Sequence, residues 1–248
     1  MDVSTTPQNQ ARTDPNVTAN TPITARAAAL IRITRPFTLL PPFLGIVSGS
    51  FAALGSMAAT GSVPLGMGFS RYWPLILMGG IMAAVLNAAS NVLNQVTEVE
   101  VHRKNKPDRV LPSSELSIKA ATVYAVLLYI LAMVLAWMVQ PQSGVRHTFW
   151  CALAAAVATV LYSVKPVYAK SRGWWANITI AVPRGCLLKV AGWGCVASVL
   201  DAEPWFIGAV FMLFLLGAAS SKDFSDMKGD AEAGIRTLPV IHGAEKTA

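Results

Sequence analysis

Three aspartates, Asp223, Asp226 and Asp230, stand three and then four residues apart in the stretch between Ser221 and Val240. On a helix this spacing places all three on one face, because residues three, four and seven apart stack on the same side. Carboxylates so close together repel one another unless a cation sits among them. Oxygen ligands of this kind suit Mg²⁺, with the remaining coordination positions left to water and a phosphorylated substrate. An acidic, solvated loop between helices is the plainer account of the same spacing.

A second polar set lies upstream. Asn91, Gln95, Glu98 and His102 follow at intervals of four, three and four, and would form one stripe on an otherwise apolar helix. Polar groups are costly against lipid, so the stripe is expected to face the bundle interior or a wet cavity. Interhelical hydrogen bonding without chemistry would satisfy it equally. The next segment, Asn105-Lys106-Pro107-Asp108-Arg109-Val110-Leu111-Pro112, is basic, punctuated by proline and suited to a phosphate. Tyr162-Ser163-Val164-Lys165-Pro166-Val167-Tyr168-Ala169-Lys170 adds more cations and two phenols. Acidic and basic ligands side by side are what a diphosphate–Mg²⁺ complex requires. Arg184 and Lys189 fall inside apolar sequence, where a cation is expected to face a cavity or a carboxylate, or, for Arg184, to reach the interface along its stem.

The elements that position these groups are membrane helices. Only 13% of residues are charged and 54% are hydrophobic, with a mean hydropathy of +0.49, unlike a soluble domain. Apolar runs long enough to cross a bilayer occur near 37–55, 74–96, 120–139, 147–164, 176–199 and 204–220. Pro41 and Pro42 imply a kink or a late helix start in the first run. The expected fold is all-α, a polytopic membrane helix bundle of about six spans.

The net charge of +7 does not point to nucleic acid, because the cations are sorted by loop. Arg12, Arg26, Arg32 and Arg35 precede the first run. Arg103, Lys104, Lys106, Arg109 and Lys119 follow the second; Lys165, Lys170 and Arg172 follow the fourth; Lys222, Lys228, Arg236 and Lys246 follow the sixth. The alternate loops hold Arg71 and Arg146. The positive-inside rule therefore makes the amino terminus and both acidic motifs cytoplasmic. Residues 1–25 read as a disordered cytoplasmic tail without the apolar core of a signal peptide. Cys151, Cys186 and Cys195 lack metal-ligand spacing and read as packed free thiols.

These motifs resemble the UbiA superfamily of intramembrane prenyltransferases. Asn94, Gln95, Glu98, His102, Lys106, Pro107 and Arg109 occupy the places of its first motif. Asp223, Asp226, Gly229, Asp230, Gly234, Thr237, Leu238, Pro239 and Val240 match the second. Tyr162, Ser163, Pro166 and Lys170 resemble its loop after the fourth span, and Arg35-Pro36 the Arg-Pro that opens the first. The resemblance runs from about Arg32 to the end.

It implies Mg²⁺-dependent transfer of an isoprenoid chain from its diphosphate to a lipophilic aromatic, chlorin or glyceryl acceptor in a cell or organelle inner membrane. Glu98, Asp223, Asp226 and Asp230 would hold the metal, with Asn94 beside them. Lys106, Arg109, Tyr162, Lys170 and Lys222 would bind the diphosphate, while Asn91, Gln95 and Arg184 would line the cavity or meet the acceptor. The first motif usually presents Asp where this chain has Glu98 and His102, and His is a poor partner for a hard cation. Val110, Ser114, Lys165 and Tyr168 also depart from the pattern. The family typically has nine helices, so 26–248 reads as a prenyltransferase domain incomplete at its C-terminus. A prenyl-diphosphate-binding protein of impaired or truncated catalytic site, and a small transporter, are the rival readings.

Overall fold

The computed structural model describes residues 22–140, 144–232 and 234–247; most of the tail expected over 1–25 lies outside them. The described residues contain no strand, only an isolated bridge between Arg172 and Arg236. Helix α1 covers Ile23–Ile33, so helix begins inside the segment expected to be tail. The following helices are α2, Leu40–Ala59; α3, Leu65–Thr97; α4, Val99–Asn105; α5, Ile118–Met138; and α6, His147–Ser163. Then come α7, Trp174–Ala181, a π-helical turn at Val182–Leu187, α8, Leu188–Gly194, and α9, Ala202–Ala218. Short helices α10, Met227–Glu232, α11, Leu238–His242, and α12, Ala244–Thr247, end the chain.

Helices α2, α3 and α5 are long and apolar enough to cross a membrane, as is α9 taken with its 3₁₀ continuation to Ser221, while α6 has 17 residues and no such extension. Pro41 and Pro42 sit in the first turn of α2, where no backbone donor is lost, so the pair starts the helix late rather than kinking it. Helix α3 begins well before the expected boundary and runs through Pro74; its 33 residues span roughly 50 Å. The fifth apolar run is not one regular helix. Pro183 removes an N–H and crowds the preceding turn, and the chain widens there into the π-helical turn.

Packing shows which faces meet lipid. On α5 the buried positions are Ala121, Ala125, Ala132 and Ala136. Its large side chains, including Leu127, Ile130, Val134 and Trp137, are about half exposed and point outward. Small residues inside and large ones outside is the arrangement of a helix solvated by hydrocarbon, and an apolar belt of this extent is foreign to a soluble surface. A central core gathers Ile46, Leu54, Met82, Leu86, Val139, Val190 and Trp193. A second gathers Ile33, Val92, Val99, Val110 and Leu111, and anchors α1, α4 and the basic loop to the end of α3 and α5.

Three amides on α3, four residues apart, fix the turn between α1 and α2. Gln95 Nε2 donates to Ile33 O at 2.7 Å, Asn91 Nδ2 to Thr34 O at 2.8 Å, and Asn87 Nδ2 to Thr38 O at 2.9 Å. Ile33 O and Thr34 O are carbonyls left over where α1 ends, and Thr38 O closes the 3₁₀ turn Pro36–Thr38 that follows. Glycines bring α2 and α8 together: a Cβ on Gly192 would lie 2.3 Å from Ile46 O, and one on Gly49 2.5 Å from Lys189 O. The Ser50 hydroxyl crosses the same seam to Gly192 O at 2.7 Å.

Gly192→Leu is therefore expected to destabilise the protein by at least ~1–3 kcal/mol, the usual cost of overpacking. Gly217→Leu, where no atom lies within 4 Å of an added Cβ, should be neutral within about 0.5 kcal/mol. Thermal unfolding of both variants in the same detergent checks the contrast.

Candidate active site

Both acidic segments, the basic loop and the loop after α6 face one cavity of about 470 Å³. Its wall includes Asn91, Asn94, Glu98, His102, Lys106, Arg109, Tyr162, Lys170, Arg184, Asp223, Asp226 and Asp230. The structure thus brings together the residues singled out in the sequence, with two exceptions. Gln95 is not in the wall: it is 2% exposed and committed to Ile33 O, which makes it part of the scaffold. The Lys222 side chain lies outside the described residues.

The backbone that delivers these groups is less regular than one helical face would be. Helix α3 ends at Thr97, and Glu98, at φ −117° and ψ 25°, joins it to α4. Its N–H still reaches Asn94 O at 3.1 Å, and its carbonyl accepts from His102 at 2.9 Å, so the stripe survives the break. The aspartate segment is a 3₁₀ stretch ending at Asp223, a turn through Asp226 and then α10. The three aspartates reach the cavity from three local conformations, not from one helix.

Opposite charges are matched across loops. Lys170 Nζ donates to Glu98 Oε2 at 2.6 Å, and Lys106 Nζ to Asp226 Oδ2 at 2.6 Å. The Tyr168 hydroxyl points at Glu98 Oε1 from 3.5 Å. Burial and the Glu98 charge push its pKa above the ordinary phenol range, so it remains a donor. Burial disfavours the Lys170 ammonium, but Glu98 outweighs it and raises the pKa. For Asp226 burial acts upward, and the Lys106 bond and charge win, leaving the carboxyl below its usual range. Asp230 goes the other way: burial, with Asp226, Asp223 and Glu98 nearby, raises its pKa against the pull of Lys170.

His102 has a different job from its neighbours. Burial first, then Arg109, Lys170 and Lys106, lower its pKa to about 3, so the ring is neutral. Arg109 Nη1 lies 2.5 Å from His102 Nε2. A guanidinium can only donate, hence Nε2 is the acceptor. Its 4.0 Å approach to Glu98 is therefore no ion pair, and the histidine holds Arg109.

Four carboxylates and five cations, Arg35, Lys106, Arg109, Lys170 and Arg184, line the cavity. This near balance leaves room for a divalent cation together with a polyanion. The oxygen-rich donor set fits a hard cation, and the crowding felt by Asp230 is what a cation would relieve. Among the described residues no three acidic, histidine or cysteine side chains stand together as a ready cage, because lysines occupy Glu98 and Asp226.

The description of the UbiA prenyltransferase family matches residues 46–248. The chain belongs to this family. It is 30% identical to the digeranylgeranylglyceryl phosphate synthase of Methanoculleus marisnigri, covering 89% of this chain and 70% of that one. It is 29% identical to the bacteriochlorophyll synthase 33 kDa chain of Cereibacter sphaeroides, covering 89% and 68%. Its fold superimposes with a TM-score of 0.67 and 19% identity on a UbiA homolog from Archaeoglobus fulgidus bound to GPP and Mg²⁺, covering 88% of this chain and 71% of that one. Proteins of the UbiA family are integral to membranes, and this chain is a prenyltransferase by family.

Within this UbiA-family site, sequence reasoning passed over Arg35, Thr38, Ser90, Thr159, Ser163 and Thr179 as wall residues. Arg35 had a signal, a cation directly before Pro36 at the head of a span. Thr159 and Ser163 are four apart and flank Tyr162 on α6, a polar patch on an apolar helix.

Asp230→Asn should stabilise the protein in the absence of divalent cations at neutral pH, since it removes a buried charge crowded by its own kind. Because folding raises the Asp230 pKa, ionised Asp230 costs stability above that raised value. The advantage of the variant should shrink as pH falls through it and vanish below about 4, the ordinary aspartate pKa. The same variant should lose the rise in melting midpoint that Mg²⁺ gives the wild type. Melting curves with and without Mg²⁺ across this range check both signs.

Proposed function

We propose that this chain transfers a prenyl group from an isoprenyl diphosphate to a lipophilic aromatic, chlorin or glyceryl acceptor. The reaction takes place at the cytoplasmic face of a cell or organelle inner membrane, with 26–248 as the reacting domain. One observation carries the reading: both acidic segments and the basic loops line a single cavity. That cavity shares Ser90, Thr159, Pro183 and Arg184 with a small apolar pocket of about 70 Å³ among α2, α3, α6 and the π-helical turn. The charged part suits a diphosphate and the apolar part the first carbons attached to it.

Mg²⁺, held by Glu98, Asp223, Asp226 and Asp230 with Asn94 alongside, would neutralise charge on the departing diphosphate. Lys170 and Lys106, which hold Glu98 and Asp226 in the structure, turn to phosphate oxygens when the carboxylates are otherwise engaged. Arg109, aimed by His102, adds a fixed guanidinium, and Tyr162 and Lys222 complete the diphosphate's surroundings. The bond between the allylic carbon and its oxygen breaks with the electron pair leaving on the diphosphate. The acceptor's nucleophile then bonds to that carbon and gives up a proton. Stabilising the leaving anion with groups already in place is the residues' main contribution, and the apolar wall keeps water from the allylic cation.

A non-catalytic prenyl-diphosphate binder is the second reading, favoured by the commitment of His102 to Arg109. Protein in lipid, given Mg²⁺, prenyl diphosphates and a panel of the three acceptor classes, should release diphosphate and form prenylated product. Asp223→Asn should lower kcat/KM roughly 10²–10³-fold, the range for losing one preorganised electrostatic group. Lys170→Gln should raise KM for the diphosphate in the protein that still folds, and lower the melting midpoint as well because Glu98 is left buried without its cation. Binding of a labelled prenyl diphosphate with no turnover on any acceptor, restored by His102→Asp or not, would replace transfer by the binder.

A further inference from the structure

A backbone bridge ties the loop after α6 to the loop after α10, and the two residues it sets side by side are both arginines. Arg172 and Arg236 form this parallel bridge, closed by the Gly173 N–H donating to Arg236 O at 2.8 Å. Bridged backbones run about 4.8 Å apart, so the fold itself places two like charges next to each other. Both side chains are exposed. Among the described residues neither has an acidic partner: Arg172 Nη2 reaches only the backbone oxygen of Pro166, at 3.2 Å, and Arg236 makes no ion pair. Lys165, directly before Pro166, is exposed and unpaired as well. Other cations at this end of the bundle are compensated, Arg32 by Glu115, Arg103 by Glu100, Lys106 by Asp226 and Lys170 by Glu98.

The basic patch continues into apolar surface. Trp174 and Trp175 follow it at the head of α7 and are 60% and 61% exposed. Val167 and Ile241, on the same two loops, are exposed too, and Ile241 lies against Gly173. Tryptophans at the head of an apolar run sit at the level of the lipid headgroups. A basic side chain at that level favours acidic lipid about fivefold. Paired guanidiniums match the oxygens of a phosphodiester, and the indoles beneath them match the glycerol and first acyl carbons attached to it. A soluble anion would use the cations and leave the tryptophans without a part.

We propose that an acidic phospholipid of the surrounding leaflet binds across Arg172 and Arg236, with Lys165 at its flank and Trp174 and Trp175 against its glycerol, and that it staples the two loops together. Its effect reaches the cavity through the backbone. Lys170 and Tyr168, just before Arg172, hold Glu98, while Ile235, just before Arg236, donates its N–H to Asp230 O at 2.8 Å. A phosphodiester shared by the two guanidiniums replaces their repulsion with charge-assisted hydrogen bonds, and so steadies the Glu98 and Asp230 sides of the cavity against each other. The site stands whether or not the neighbouring cavity transfers prenyl groups.

The test uses the full chain in nanodiscs of phosphatidylcholine, with and without phosphatidylglycerol, in the absence of divalent cations. Lipids brominated on the acyl chain quench the tryptophans they touch, and the signal of Trp174 and Trp175 is the part lost in the variant carrying Trp174→Phe and Trp175→Phe. Titration should give phosphatidylglycerol a preference over phosphatidylcholine of about 10- to 100-fold at this patch, from basic contributions of about fivefold each. Arg236→Gln should cut the preference about fivefold, and Arg172→Gln added to it should bring the ratio close to one. Arg236→Lys, which keeps the charge, should retain most of it. Lys119→Gln, an exposed cation at the head of α5, should leave it unchanged. Hydrogen exchange at the Gly173 amide should be about tenfold slower with phosphatidylglycerol than without it in the wild type, and indifferent to lipid once both arginines are replaced. A wild type without the preference, an equal loss from Lys119→Gln and Arg236→Gln, or Gly173 exchange indifferent to lipid in the wild type would each overturn the proposal. Displacement of the brominated phosphatidylglycerol by inorganic phosphate would overturn it too, by making the patch a site for soluble anions.

Discussion

Charge compensation inside a hydrocarbon-solvated bundle is the constraint on which this structure turns. Glu98 and Asp230 are each 2% exposed and Asp223 4%, and an unpaired buried carboxylate is expensive. The ion pair Lys170–Glu98 meets that demand for Glu98, and the more exposed pair Lys106–Asp226 adds a second link; they join segments 72 and 120 residues apart. They therefore act as tertiary cross-links as well as ligands in waiting. Removing Lys170 from its almost fully buried partner would cost roughly 3–5 kcal/mol, so the site and the fold at this end of the bundle are not separable. The same constraint explains the raised Asp230 pKa: it is the carboxylate with more acidic than basic neighbours.

The cross-links work because the helices beneath them are held at fixed heights. The amide ladder of Asn87, Asn91 and Gln95 ties α3 to the α1–α2 turn, which sets Arg35 and Thr38 in the wall. The glycine seam between α2 and α8 brings the broken helix close to α2. The widened turn at Pro183 then aims Arg184 into the cavity instead of along the helix surface. Hydrophobic association does not drive these contacts within lipid, so close approach of small residues and hydrogen bonds must.

Much of this is legible in the sequence for a physical reason: apolar runs, the sorting of cations by loop and carboxylate spacing are local patterns. Spacing predicted convergence of Asp223, Asp226 and Asp230, yet not the backbone that achieves it, since three residues can share a side through a 3₁₀ stretch, a turn and a short helix as well as through one helix. The stripe Asn91–Gln95–Glu98–His102 mixed two roles that sequence does not separate. Its amides serve carbonyls of α1, whose end is set by tertiary packing, and its ionisable members serve the cavity. Asn87, one turn earlier on the same side, belongs with the amides and was invisible only because the apolar run seemed to enclose it. The break in the fifth run had a local cause in Pro183, but whether proline kinks, widens or starts a helix depends on its neighbours, as Pro41, Pro74 and Pro183 show with three different outcomes.

His102 is where chemistry and packing meet most closely. An aspartate at that position would bring a fifth carboxylate to the cavity, one helical turn from Glu98. Histidine brings none, and its neutral ring accepts from Arg109, so a negative ligand has been exchanged for a better-placed positive one. The consequence for ligands is asymmetric. Affinity for a second cation falls, because imidazole is a poor match for a hard ion, whereas affinity for phosphate oxygens is preserved by a guanidinium held by the histidine, with Asp226 and Glu98 only nearby. A site altered in this way still favours the leaving diphosphate, but leans more on its own cations and less on bound metal than one with aspartate at this place.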